Sequence, residues 1–441
     1  MLAVNALAST MSNQGYGSAT KRSQAYAARA RIPALAAQQL LERGARADMS
    51  SASTALREQR LELLLRRAFV MIRALARLQT DDDAAGAQFA LAERFAISTA
   101  GNWAYRFSWR QAGSGWSTRQ ELSGGGGGDA LSLSLRGTLG GDLTVGGGAG
   151  NDALALNADL LRAATGGAGN DSLSFAGGVL GLISGGAGRD ALSISAAAVG
   201  RASGGSGSDA IAFAGQVAGI IDGGSGNDAL AVAAEAVGAV DGGAGRDAIS
   251  VSVTSVGLVS GGAGSDAISV NAVDAWRIDG GAGDDAVSVV AGRLGELDAG
   301  AGDDAITVAA GAAGVISAGA GRDALTLIGG SFGSIDTGAG DDTILLSARD
   351  AAVELRKGGG ADRLTVTSVG SLALRVEEDL AASVEDIQIT REDDRIRLDF
   401  GGGDSLTIDG VSQAGAIFLN IGGEVYALSE GRAAAGLDVL A

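Results

Sequence analysis

Eleven aspartates recur nineteen residues apart without a slip: Asp152, Asp171, Asp190, Asp209, Asp228, Asp247, Asp266, Asp285, Asp304, Asp323 and Asp342. Asp129 stands before this array and Asp362 after it, both off its phase. Each of the eleven closes a hexapeptide such as Gly147-Gly148-Ala149-Gly150-Asn151-Asp152. Hard divalent cations, above all Ca²⁺, take about six to eight oxygens from carboxylates and backbone carbonyls. Successive glycines permit positive φ, so a tight loop turns its carbonyls toward one spot. The hexapeptide offers both oxygen types, and the next repeat offers a second set. These thirteen aspartates are the candidate metal ligands, with Ca²⁺ ions stacked between adjacent glycine-rich loops.

A lone aspartate in such a loop reads as a turn former bonded to local backbone. Eleven in phase ask for more. Two carboxylates about 5 Å apart repel by roughly 3 kcal/mol at an effective dielectric of about 20, and by under about 1 kcal/mol in bulk water. Ten such neighbours oppose folding by roughly 8–30 kcal/mol, against a typical domain stability of about 5–15 kcal/mol. Intercalated divalent cations turn that repulsion into cross-links.

The period predicts the scaffold. Repeats of this length mark a solenoid, in which no turn buries its own apolar face alone. Counting from each aspartate, apolar residues recur at +2, +4, +9 and +12: Ile249, Val251, Val256 and Val259 in one turn, Leu325, Leu327, Phe332 and Ile335 in another. The +2/+4 pair predicts a short strand with both side chains inward. The +9/+12 pair, with glycine at +10 (Gly238, Gly257, Gly295, Gly314, Gly333), predicts a second strand and a tight bend. Rows of like side chains then stack at about 4.8 Å per turn. The expected class is mainly β, a parallel β-solenoid (β-roll or β-helix) over residues 124–366.

The flanks differ in kind. Residues 1–80 predict an α-helical region: one helix after Pro33, ended by Gly44, and a second from about Ser53 to Gln79. The second sets Leu56, Leu61, Leu64, Leu65, Phe69 and Ile72 at helical spacing and carries Arg57, Arg60, Arg66, Arg67, Arg73 and Arg77. Such a helix caps or assembles the protein, or seeks an anionic surface. Residues 81–123 predict an aromatic β-hairpin, with Trp103, Tyr105, Phe107 and Trp109 alternating along one strand. Its row of rings covers the first open turn of the solenoid or stacks on sugars. Residues 367–441, with Asp386-Ile387-Gln388-Ile389 and Arg395-Ile396-Arg397-Leu398, predict a β-rich carboxy-terminal cap.

Composition narrows the functions. The chain has no histidine and no cysteine, which removes the usual zinc sites and His-based acid–base or nucleophilic catalysis. Residues 124–346 hold 8 Arg/Lys against 25 Asp/Glu, a charge of −17 that repels nucleic acid and attracts cations. Residues 1–123 hold 16 against 9, a charge of +7. No apolar run reaches the roughly 18–20 residues needed for a transmembrane span, and Met1 to Gln24 lacks the order of a cleaved signal peptide.

The hexapeptide with its following strand resembles the repeats-in-toxin (RTX) family, whose motif is Gly-Gly-x-Gly-x-Asp-x-U-x with U a large apolar residue. Gly223-Gly224-Ser225-Gly226-Asn227-Asp228-Ala229-Leu230-Ala231 fits every position. The resemblance covers about half of the chain. It implies a Ca²⁺-bound β-roll, an extracellular or cell-surface location and secretion by a type I system read at the carboxy terminus, where Leu437-Asp438-Val439-Leu440-Ala441 resembles the family's ending. One loop per nineteen residues departs from the usual two per eighteen, and is similar to the solenoid of bacterial ice-binding adhesins. Those present flat rows of Thr and Asn, whereas loop position 3 here is Ala or Ser and position 5 is mixed, so ice binding is not expected. Position 1 changes to Ala299, Ala318 and Thr337 in the later loops.

Three functions follow. The first is a non-enzymatic structural protein of a surface layer, matrix or adhesive fibre, which folds on binding Ca²⁺ and assembles with itself through the amino-terminal helices. The second is an extracellular polysaccharide-binding or adhesion module built on the aromatic strand. The third is a polysaccharide-modifying enzyme, for which Arg277 and Asp274 beside the out-of-pattern Trp276 are the one hint. The first is the expected reading, with no catalytic residues.

Overall fold

The computed structural model describes residues 95–100, 104–112, 115–135, 143–430 and 438–439. The helices expected over residues 1–80, with their arginines, and Trp103 lie outside the described residues. Five strands come first: β1 (Phe95–Ala100), β2 (Ala104–Ala112), β3 (Gly115–Ser123), β4 (Ala130–Leu135) and β5 (Leu143–Ala149). Then one strand follows for each repeat: β6 (Ala153–Ala168), β7 (Ser172–Ala187), β8 (Ala191–Ser206), β9 (Ala210–Ser225), β10 (Ala229–Ala244) and β11 (Ala248–Ala263). The series continues with β12 (Ala267–Ala282), β13 (Ala286–Ala301), β14 (Ala305–Ala320), β15 (Ala324–Asp336), β16 (Thr343–Leu355) and β17 (Ala361–Val376). Last come β18 (Gln388–Glu392), β19 (Arg395–Gly401), β20 (Asp404–Asp409), β21 (Ala414–Ile421), β22 (Glu424–Glu430) and β23 (Asp438–Val439).

The repeats form a parallel β-solenoid of about 13 turns. Each strand pairs with its equivalent one turn on, so Leu230 meets Ile249, Val232 meets Val251, Val237 meets Val256 and Val240 meets Val259. Like side chains stack because the hydrogen bonds run between turns and every turn has the same length. The predicted inward phases are interior: Ile249, Val251, Val256 and Val259 are all buried. Burying such a row stabilises the rod by roughly 1.5–3 kcal/mol per large aliphatic side chain.

The turn itself departs from the two short strands expected. From β6 to β14 each turn is one strand of sixteen residues bent around the core. Position +6 is also interior, as Ala158, Ala196, Val253 and Ala272 show. Alanine is small enough to turn inward near a bend and carries too little hydropathy to mark it.

At the amino-terminal side β2 and β3 form an antiparallel hairpin that sets Trp109 opposite Thr118 and Gln111 opposite Trp116. β3 then runs parallel to β5, and β4 to β6, which joins the hairpin to the first turn. At the other side β20 and β21 lie parallel to the first and second parts of β17. Together they trace one more turn on β17, which the chain reaches only after the antiparallel pair β18–β19. No helix among the described residues is long and apolar enough to cross a membrane.

Candidate metal centre

Loop positions 2 and 4 are forced to be glycine by backbone shape. Gly243 and Gly245 hold φ of 103° and 131°, and a Cβ on Gly243 would lie 2.0 Å from the carbonyl oxygen of Gly224. Position 1 has ordinary φ and a different constraint. A Cβ on Gly242 would sit 2.6 Å from Asp247 Oδ2 and 2.5 Å from the Gly261 carbonyl oxygen of the next turn. The same cradle, a carboxylate oxygen and a carbonyl oxygen crowding one point, recurs at Gly147, Gly166, Gly204, Gly223 and Gly261.

The aspartates themselves point inward. All thirteen are buried, including Asp129 and Asp362. From Asp129 to Asp342, each backbone N–H donates to Oδ1 of the next aspartate in the row, so Asp228 N–H reaches Asp247 Oδ1 at 2.7 Å and Asp247 N–H reaches Asp266 Oδ1 at 2.7 Å. The second oxygen, Oδ2, has no hydrogen-bond partner from Asp152 through Asp342, in all eleven in-phase carboxylates. The two off-phase residues differ. Asp129 Oδ2 accepts from Gly125 N–H at 2.8 Å, and Asp362 Oδ2 from the Thr337 hydroxyl at 3.2 Å. Gly125 N–H lies four residues before Asp129, and the Thr337 hydroxyl stands where most other loops have glycine, so the run of orphaned oxygens is the eleven of the strict array.

An anionic oxygen without a partner in such a place is costly unless it gains a proton or a cation. From Asp171 to Asp362, burial is the main influence on these carboxyls. It pushes Asp209, Asp247, Asp266 and Asp342 up to about 6 against the pull of the backbone N–H, with neighbouring carboxylates adding to the rise. Asp304 and Asp362 are pushed up to about 7 for the same reasons. Among the described residues no three acidic side chains converge on one point. A cation here must therefore take backbone carbonyls beside the carboxylate, a donor set suited to Ca²⁺. The orphaned Oδ2 and its adjacent carbonyl fit that group. Ala299, Ala318 and Thr337 place a side chain at the cradle position of the loops ending in Asp304, Asp323 and Asp342, and all three are buried.

A second ladder was hidden in the mixed residues of loop position 5. Asn151 Oδ1 accepts from Asn170 N–H, Asn170 Oδ1 from Arg189 N–H, and Asn227 Oδ1 from Arg246 N–H, each at 2.8 Å. Ser208, Ser265, Asp284 and Asp303 serve likewise. Asn, Ser and Asp look unlike in sequence and share one property, a short side chain ending in an acceptor. This ladder is exposed, so Asn227→Ala should destabilise the protein by only about 0.5–1.5 kcal/mol in urea denaturation.

Arg277, singled out in sequence, is paired with Asp279, Glu296 and Asp298 at 3.0, 2.7 and 3.5 Å. Asp274 is placed opposite Arg293 in the ladder and does not join that cluster. No family model matches the chain, and no curated protein matches it.

Proposed function

We propose that this chain is an extracellular Ca²⁺-binding β-solenoid, a structural or surface-associated protein that folds as it takes up the metal. The row of eleven buried Asp Oδ2 atoms without partners carries the reading. Asp152, Asp171, Asp190, Asp209, Asp228, Asp247, Asp266 and Asp285 would hold the ions, each with carbonyl oxygens of its own loop and the next. A bound cation supplies the positive charge that lets these carboxylates stay ionised inside the rod. The loop glycines keep the cradle open, and the Asp N–H to Oδ1 bonds hold each carboxylate in one orientation. Because the cradle spans two turns, metal uptake and stacking of turns are one event.

The wider reading rests on the resemblance to the RTX family: export as an unfolded chain by a type I system, then folding where calcium is about 10⁻⁴–10⁻³ M. The strands after β17 act as the carboxy-terminal cap, and the basic amino-terminal region anchors or assembles the rod. Arg277 is occupied by three carboxylates, which favours a structural role for it over a catalytic one.

Far-ultraviolet circular dichroism during a calcium titration, with magnesium as control, tests the reading. A cooperative gain of β signal with calcium is expected; a spectrum already folded in chelator at neutral pH and unmoved by calcium would sink it. The cradle makes a further claim about number. Ala299→Gly should raise the calcium bound per chain in equilibrium dialysis by about one ion, since it opens one more loop of the kind Ca²⁺ takes. An unchanged count would mean that the Ala299 methyl does not block the site.

A further inference from the structure

Positions +1, +3 and +5 of the twelve turns from Asp129 to Asp342 point out on one face of the rod, as in Ala231, Ser250 and Ser269. None of these thirty-six positions is charged, in a chain of which 19% is charged. None is glycine, proline or aromatic either. Alanine and serine dominate, and Val290 and Ile328 are exposed among them at 52% and 51%. Charge returns on both sides of this face. Arg189, Arg246 and Asp284 stand at loop position 5 along one rim, and Asp159, Glu235 and Asp350 along the other. The opposite side of the turn carries Arg201, Asp222 and the Arg277 cluster. The bare face is thus a long, flat strip with a charged border.

We propose that this strip is the interface through which two copies of the chain stack face to face. Its area suits such a pair. Twelve strands about 4.8 Å apart, with about six residues of about 3.3 Å across, give roughly 1,000 Å² on each partner. A standard stable interface needs about 800 Å² per partner. Charge selects the face as well. The solenoid is strongly acidic, and two copies repel in most orientations. Among the described residues this strip lets them meet without burying an unpaired charge, which is what penalises wrong pairings. A depleted centre and a charged rim are also the usual anatomy of an interface. Short Ala and Ser side chains let two sheets approach closely, and the twofold arrangement is self-complementary because the same strip serves both partners.

Sedimentation of the full chain in calcium-containing buffer tests this. The wild type should sediment as a dimer from low to high micromolar concentration, more completely as salt screens the repulsion between acidic rods. Ala212→Arg with Ser250→Arg, both exposed and mid-strip, should give a monomer, about a twofold fall in mass. Ala239→Arg on the opposite side of the turn should remain a dimer. Circular dichroism reports whether the variants fold. Should the double variant fail to fold, Ser250→Cys takes its place: the chain has no cysteine of its own, so mild oxidation should link two copies through that residue. A monomeric wild type would overturn the proposal and leave the strip to another occupant, such as the chain's own amino-terminal segment. A dimer that survives the two arginines would overturn it too, by placing assembly elsewhere.

Discussion

In chelator at pH 7 the solenoid should lose most of its β signal, and acidification to about pH 4 should restore it without calcium. The direction follows from burial. Asp209, Asp247, Asp266 and Asp342 are raised to about 6 in the folded chain, and Asp304 to about 7, against about 3.9 when unfolded. A raised carboxyl stabilises the fold fully below its unfolded value, and that contribution is lost as pH rises through about 6 to 7. A proton and a cation answer the same orphaned oxygen, so either one should suffice. With calcium bound the slope reverses, because protons then compete with the metal for the carboxylate. Thermal melts between pH 4 and pH 8, with and without calcium, should therefore give two curves of opposite slope. Curves that run in parallel would remove the cation from the account.

Replacing Asp247 should separate its two oxygens. Asp247→Asn keeps Oδ1 as the acceptor for Asp228 N–H and puts an amide in place of the orphaned Oδ2, beside the Gly261 carbonyl. In chelator at neutral pH this variant should be more stable than the parent, since a buried anion is gone. With calcium it should be less stable, since a ligand is gone. Asp247→Ala removes both oxygens and leaves the Asp228 N–H unpaired in the interior, a loss of about 1–3 kcal/mol for the hydrogen bond alone. Urea midpoints should rank Asn above parent in chelator and parent above Asn above Ala in calcium. A ranking that does not change with calcium would make the column purely structural.

The sequence was most legible where one residue type did one job. Ile249, Val251, Val256 and Val259 announced their burial because large aliphatic side chains recur at fixed phase. The aspartates announced their importance, though not their direction: nothing in Gly-Gly-x-Gly-x-Asp says that the carboxylate turns inward to meet an N–H nineteen residues back. Position 5 hid its ladder because Asn, Ser and Asp were read as a mixture. Asp129 and Asp362 looked like further members of the set, while Gly125 N–H and the Thr337 hydroxyl give their second oxygens the donors that the other eleven lack. The turn made by β20 and β21 was obscured because β18 and β19 interrupt the count.

The N–H to Oδ1 bonds all run one way along the rod, each donor reaching toward the carboxyl terminus. The solenoid therefore has unlike ends, in the sense that a filament has a plus and a minus end. Within each turn of the array the carboxylate faces the amino-terminal side and the amide the carboxy-terminal side. Toward the carboxyl terminus, Asp404 at the head of β20 accepts from Gly358 N–H and Gly360 N–H at 3.0 Å each, where the added turn of β20 and β21 lies on β17. Donor and acceptor keep the same sense there, so the polarity of the array runs on into the added turn. Any further turn must join in that sense, its carboxylate toward the amides of the turn before it.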